Sequence, residues 1–285
     1  MESAHRAQPS LMQRVVPRIG LVGLAAIVGV SFGISLTRPT IGGIAVFVGA
    51  GRLAALGLNP YGVAGITPRG PDGVAYPNLS PPLSVLLFQQ VAWVDPVTLA
   101  RVWYAISLVL YVLIVLVLIR AYPQQQPMLR AMWALAIFPL WFTLAIGQVQ
   151  VVLLGLAVMV WIALRSDRDD LAGLALGILV AYKPNFVLWP VLLFLAGRRR
   201  TSVVSVGVAG ILSIWPALVY GPAIYAEWLD ASARTTESIG GYGVISFLFN
   251  DVGIAWLGLP LSVAIALAAA VWAVRTQPPA DQVSE

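Results

Sequence analysis

From residue 19 to residue 274 the chain repeats long apolar runs, and its basic residues lie mostly in the short stretches between them. No other feature constrains the fold as tightly. About 20 apolar residues reach across the roughly 30 Å hydrocarbon core of a bilayer, and a backbone in lipid must satisfy its own hydrogen bonds, as a helix does. The bulk figures agree: 59% of the 285 residues are hydrophobic, only 10% are charged, and mean hydropathy is +0.87. Soluble domains carry about 25% charged residues, and a globule of this length could not enclose so much apolar surface. The expected fold class is therefore all-α, a polytopic transmembrane helical protein with about eight membrane segments and a structured outer loop containing short interfacial helices.

The expected segments are 19–35, 102–119, 131–146, 148–164, 171–182, 185–196, 203–220 and 254–274. Several are short. At 1.5 Å per residue the 171–182 run covers about 18 Å, so it has to stop at a cavity within the bilayer. The first run follows Arg6, Arg14 and Arg18 and reads as an uncleaved signal anchor. Residues 37–96 are rich in Gly, Pro and Asn and read as a large outer loop, with short interfacial helices expected at 43–58 and 83–93. A second outer loop is expected at 221–242. The domain reading is then a cytoplasmic tail at 1–18, a membrane domain at 19–275 and a cytoplasmic tail at 276–285. Placing both termini inside leaves eleven basic residues in the cytoplasm against six outside, and Arg198, Arg199 and Arg200 mark the cytoplasmic side most sharply. The expected location is the plasma membrane. No internal repeat is present, so the inverted-repeat signature of many transporters is missing.

The absence of cysteine rules out disulfides, thiolate metal sites and thiol nucleophiles. The single histidine, His5, lies in the polar amino-terminal tail and builds no metal site. A net charge of +5 punctuates apolar runs instead of gathering on a solvated face, which argues against a nucleic-acid partner. Lys183 interrupts an apolar stretch in Ala181-Tyr182-Lys183-Pro184-Asn185. A lysine at membrane depth meets an anion or a watery cavity, or else it snorkels to the interface; both readings stand. Gly147-Gln148-Val149-Gln150 places amides beside a glycine hinge, where they bond another helix or a hydroxyl-rich ligand. The outer-side acids are Asp72, Asp95, Glu227, Asp230, Glu237 and Asp251, with no spacing that declares a carboxylate pair. Asp72 sits in a Pro-Asp-Gly turn. Trp228 and the other tryptophans near segment ends read as an aromatic belt, with sugar stacking as a second role for Trp228.

Gly147-Gln148, Ala172-Gly173, Lys183-Pro184 and Gly197-Arg198-Arg199-Arg200, taken together, resemble glycosyltransferase family 87. The loop is similar too, through Gly51-Arg52, Gly57-Leu58-Asn59-Pro60-Tyr61 and Tyr76-Pro77-Asn78-Leu79-Ser80-Pro81-Pro82. Glu227-Trp228-Leu229 and Gly240-Gly241-Tyr242 echo the family's second outer loop.

The resemblance implies a GT-C-type membrane hexosyltransferase, a mannosyltransferase, that uses a polyprenyl-phosphate sugar donor at the extracytoplasmic face, with a glycan or glycolipid acceptor and no cofactor. It implies substrate-binding roles for Arg52, Asn59, Tyr61, Tyr76, Asn78, Gln148 and Lys183, with Arg52 and Lys183 on the donor phosphate. The family's loop aspartate would fall near Gly42 or Gly43, yet no carboxylate lies between Leu36 and Pro71. Asp72 and Glu237 are the candidates to replace it as catalytic base. The other reading is a catalytically inactive membrane protein that binds or moves a lipid-phosphate ligand.

Overall fold

In the computed structural model, which describes residues 11–37, 42–62, 78–121, 127–239 and 264, the apolar runs fold as helices. The order is α1 Leu11–Thr37, α2 Gly42–Ala55, α3 Pro82–Gln89, α4 Pro96–Ala121, α5 Pro127–Leu135, α6 Phe138–Ala145, α7 Gln150–Arg165, α8 Asp169–Tyr182, a 3-10 turn Pro184–Val187, α9 Leu188–Leu195, α10 Arg199–Tyr220 and α11 Ala223–Ile239. No strand occurs among the described residues. Prolines open α3, α4 and α5, where the missing N–H costs nothing.

Among the described residues, three helices are long and apolar enough to cross a membrane: Ile19–Leu36 within α1, Pro96–Ala121 and Arg199–Tyr220. A fourth span arises if α5 and α6, bent by 50°, act as one. The expected count of about eight is therefore not reached among the described residues. The runs at 148–164, 171–182 and 185–196 are helical but too short on length alone, and 254–274 lies outside the described residues apart from position 264. Exposed apolar side chains line the long helices, as with Val102, Ile106, Val109 and Leu113 along one stripe of α4, the kind of face that lipid covers. The first expected loop helices are present as α2 and α3. The region 221–242, read as a loop, instead carries α11 over most of its length.

The chain divides into two compact units, the boundaries falling inside α2, between α3 and α4, and inside α7. The first holds α1, the start of α2, α4, α5, α6 and the first half of α7. Its core joins Tyr111, Ile114 and Val115 of α4 to Leu140, Trp141 and Leu144 of α6 and Val151 of α7. The break between α5 and α6 frees carbonyls that lipid could not satisfy. Two side chains take them: Tyr111 Oη donates to Ala134 O at 2.9 Å and Trp141 Nε1 to Leu135 O at 2.7 Å. After α6 the chain reverses at Gly147, with φ +69°, while Gln148 N donates back to Thr143 O at 3.1 Å. That is a glycine-terminated helix end. The Ile146 carbonyl then accepts Gly43 N at 2.8 Å, an approach so close that a Cβ on Gly43 would lie 2.3 Å from that oxygen.

The second unit holds the rest of α2, α3, the end of α7, and α8 to α11. Its most tightly packed seam runs between α8 and α10. A Cβ on Gly173 would lie 2.8 Å from Thr201 O, and one on Gly177 would lie 2.7 Å from Ser205 O. The matching steps of four residues make the two helices parallel neighbours joined by a small-residue stripe. Ala172, Ala175, Leu176 and Leu179 are wholly buried there. At the amino-terminal ends of both helices, Arg198 pairs with Asp167 at 2.8 Å, Arg200 with Asp170 at 2.5 Å, and Thr201 Oγ1 donates to Asp169 at 2.8 Å. The acids suit the positive end of α8, and they offset the arginines at the same end of α10.

Candidate active site

In the second unit the loop motifs fold back on themselves. Asn59 Oδ1 accepts the N–H of Tyr61 at 2.7 Å, and Asn78 Oδ1 accepts the N–H of Ser80 at 3.1 Å. Both are the short turns to which asparagine lends itself. Tyr61 is buried and its hydroxyl donates to Ser80 O at 2.8 Å, joining the two motifs. Trp228 Nε1 of α11 donates to Leu79 O at 3.0 Å, so the indole N–H that was a candidate for the aromatic belt holds the loop. Arg52 Nε donates to Ala92 O at 2.7 Å, tying α2 to the turn after α3. Phe47 stacks on Phe88 with ring centres 4.9 Å apart, and Gly51 lets the α3 backbone approach.

Tyr61 is also the centre of a cluster. Its phenol lies within electrostatic reach of Tyr225, Tyr220, Glu227 and Tyr182, and burial first, then these neighbours, push its pKa far above the ordinary value. The hydroxyls of Tyr220 and Tyr225 are spent, on Gln89 Oε1 and on Ser213 O. The Tyr182 hydroxyl and Asn78 Nδ2 are buried without a hydrogen-bond partner among the described residues.

Lys183 ends α8 with extended backbone, φ −137° and ψ 90°, and its carbonyl accepts the N–H of Phe186 at 3.0 Å. Pro184 cannot continue the helix. The lysine is half-buried, and none of the ion pairs among the described residues involves it. Gln148 belongs to the first unit, where its carbonyl accepts Trp103 Nε1 at 3.1 Å. Arg52, Asn59, Tyr61, Asn78 and Lys183 thus share one unit and Gln148 lies in the other. Asp72 and Tyr76 lie outside the described residues. Glu237 lies in the last turn of α11, and its side chain is likewise outside them.

The family model for glycosyltransferase family 87 matches residues 78–284, most of the chain. The chain belongs to glycosyltransferase family 87. Comparison with curated proteins and with solved structures finds no match. Membership of glycosyltransferase family 87 carries glycosyl transfer in general, and with the long apolar helices it makes this a membrane protein. The matched stretch opens at Asn78 and takes in Gln148, Lys183, Glu227 and Glu237, whereas Arg52, Asn59, Tyr61, Asp72 and Tyr76 precede it. The residues that sequence reasoning passed over are Tyr182, Tyr220, Tyr225 and the placement of Glu227. The signal for the last was a helical period through Ile224, Glu227, Trp228 and Ala231, hidden by reading this region as a loop.

Proposed function

We propose that this protein is a GT-C-type hexosyltransferase, a mannosyltransferase by its family likeness, that takes its sugar from a polyprenyl phosphate at the extracytoplasmic face of the plasma membrane. The supporting observation is Lys183: a half-buried cation at the break between two helices too short to span, with no carboxylate partner among the described residues. A cation at such a place suits a lipid-linked phosphate, because charge-assisted bonds to phosphate are strong and an unpaired charge near lipid is costly. Nucleotide sugars stay in the cytoplasm, so an outward-opening transferase draws on a lipid-phosphate donor. The glycan or glycolipid acceptor attacks the anomeric carbon, and the lipid phosphate leaves.

Purified protein given a mannosyl phosphopolyprenol tests the reading. Transfer to an acceptor is expected, and Lys183→Ala should weaken donor binding by about 10- to 100-fold, the size of one charge-assisted hydrogen bond. A second reading, a non-catalytic lipid-phosphate binder, is favoured by the lack of any carboxylate between Leu36 and Pro71. It prevails if no sugar moves while Lys183→Ala still weakens donor binding.

A further inference from the structure

Between Ile224 and Ala231, the face of α11 that closes onto the loop is apolar except at one position. Ile224 and Ala231 are buried in a cluster with Ala50, Tyr61 and Val85, and Trp228 packs against it. These three stand at i, i+7 and i+4; Glu227 stands at i+3, on the same face, and is half-buried. A carboxylate on a packing face is costly unless it has a partner. Among the described residues no ion pair or hydrogen bond involves Glu227, whereas Asp230 on the same helix takes Arg234. Tyr61 does not serve it, because the phenol donates to Ser80 O. Two more polar groups beside Tyr61 are unspent. Asn78 shares the turn with Ser80, is 4% exposed and has an Nδ2 with no hydrogen-bond partner among the described residues; the same holds for the buried Tyr182 hydroxyl, which lies within electrostatic reach of Tyr61. A carboxylate, an amide donor and a hydroxyl gathered about a locked phenol make a set that a hydroxyl-bearing ligand would complete.

We infer that Glu227 is the general base of the transfer, accepting the proton of the acceptor hydroxyl, an assignment that rests on the transferase reading above. As the acceptor oxygen bonds to the anomeric carbon, the bond from that carbon to the phosphate oxygen breaks. The electron pair leaves on the phosphate, turning a diester monoanion into a polyprenyl phosphate dianion. The hydroxyl proton passes to Glu227, which becomes neutral and later returns it to water. Glu227 thereby supplies the carboxylate missing from residues 36–71.

The test uses the full chain purified in detergent, labelled mannosyl phosphopolyprenol as donor and octyl mannoside as acceptor. Glu227→Gln should lower kcat by about 10²- to 10⁴-fold while donor Kd and Tm stay at wild-type values. Glu227→Asp keeps the charge but draws it back, and should lose at least about tenfold in rate with binding intact. Near-wild-type kcat in either variant overturns the assignment and leaves the transferase reading standing. Parallel loss of Tm and donor affinity in both variants also overturns it, because Glu227 would then be structural. No transfer by the wild type removes the transferase reading and the base with it.

Discussion

Asn59 and Asn78 each spend a side-chain carbonyl on a backbone N–H two residues on, and Tyr61 closes the space between the two turns. The Asn-Pro-Tyr signature therefore shapes the loop through chemistry visible in the sequence. Tyr61→Phe removes only the hydroxyl and leaves Ser80 O without that donor, so it should cost about 1–3 kcal/mol, read by thermal unfolding in detergent. The pH dependence follows from the same burial. The unfolded phenol ionises near its ordinary value of 10.0 and the folded one well above it. The unfolded chain therefore releases its proton first, and the contribution is full below about pH 10 and lost above it. Scans through that range should show a shallower alkaline loss in Tyr61→Phe than in the wild type. Equal slopes would mean that Tyr61 is not buried as described. Lys183 and Glu227 differ from these turn residues in having charge without an internal partner among the described residues, which is why the functional tests fall on them.

The α8 and α10 pair shows how the same substitution can act in opposite directions. A Cβ on Gly177 would sit 2.5 Å from Val208 Cβ and 2.7 Å from a backbone oxygen, whereas one on Gly210 meets nothing within 4 Å. Gly177→Ala should destabilise by about 1–3 kcal/mol through overpacking. Gly210→Ala should stabilise by about 0.5–1 kcal/mol by restricting the unfolded backbone. Tm measured on both variants checks the pair, and a rise in both would refute the close seam. The ion pairs at the helix starts are exposed and contribute at most about 1 kcal/mol each, so Asp170→Ala should cost less than Gly177→Ala. Hydropathy located both helices, but only packing distinguishes the two glycines.

For the whole molecule, thiol labelling reads which face of the membrane each loop meets. The chain has no cysteine, so one introduced thiol is the only one present. Leu56→Cys, at the exposed end of α2, should react with a membrane-impermeant maleimide in intact cells. Ser166→Cys, in the exposed turn after α7, should react only after the membrane is opened. The reverse pattern would invert the orientation drawn from the basic residues and move the proposed site to the cytoplasmic side.

Apolar runs without caps or alternation identified helices and a bilayer because hydrophobicity and periodicity are local properties of the chain. The Asn turns, the Lys-Pro break and the glycine reversal at Gly147 were legible for the same reason. The number of full spans was not, because it depends on where helices bend, and the bend between α5 and α6 persists only because Tyr111 and Trp141 satisfy the freed carbonyls. Nor was the role of α11, whose register became meaningful once Ile224, Trp228 and Ala231 had a surface to pack on. Which carboxylate comes within electrostatic reach of the buried phenol depends on packing between residues more than 160 positions apart, and only the tertiary structure could bring the helix that carries Glu227 against Tyr61.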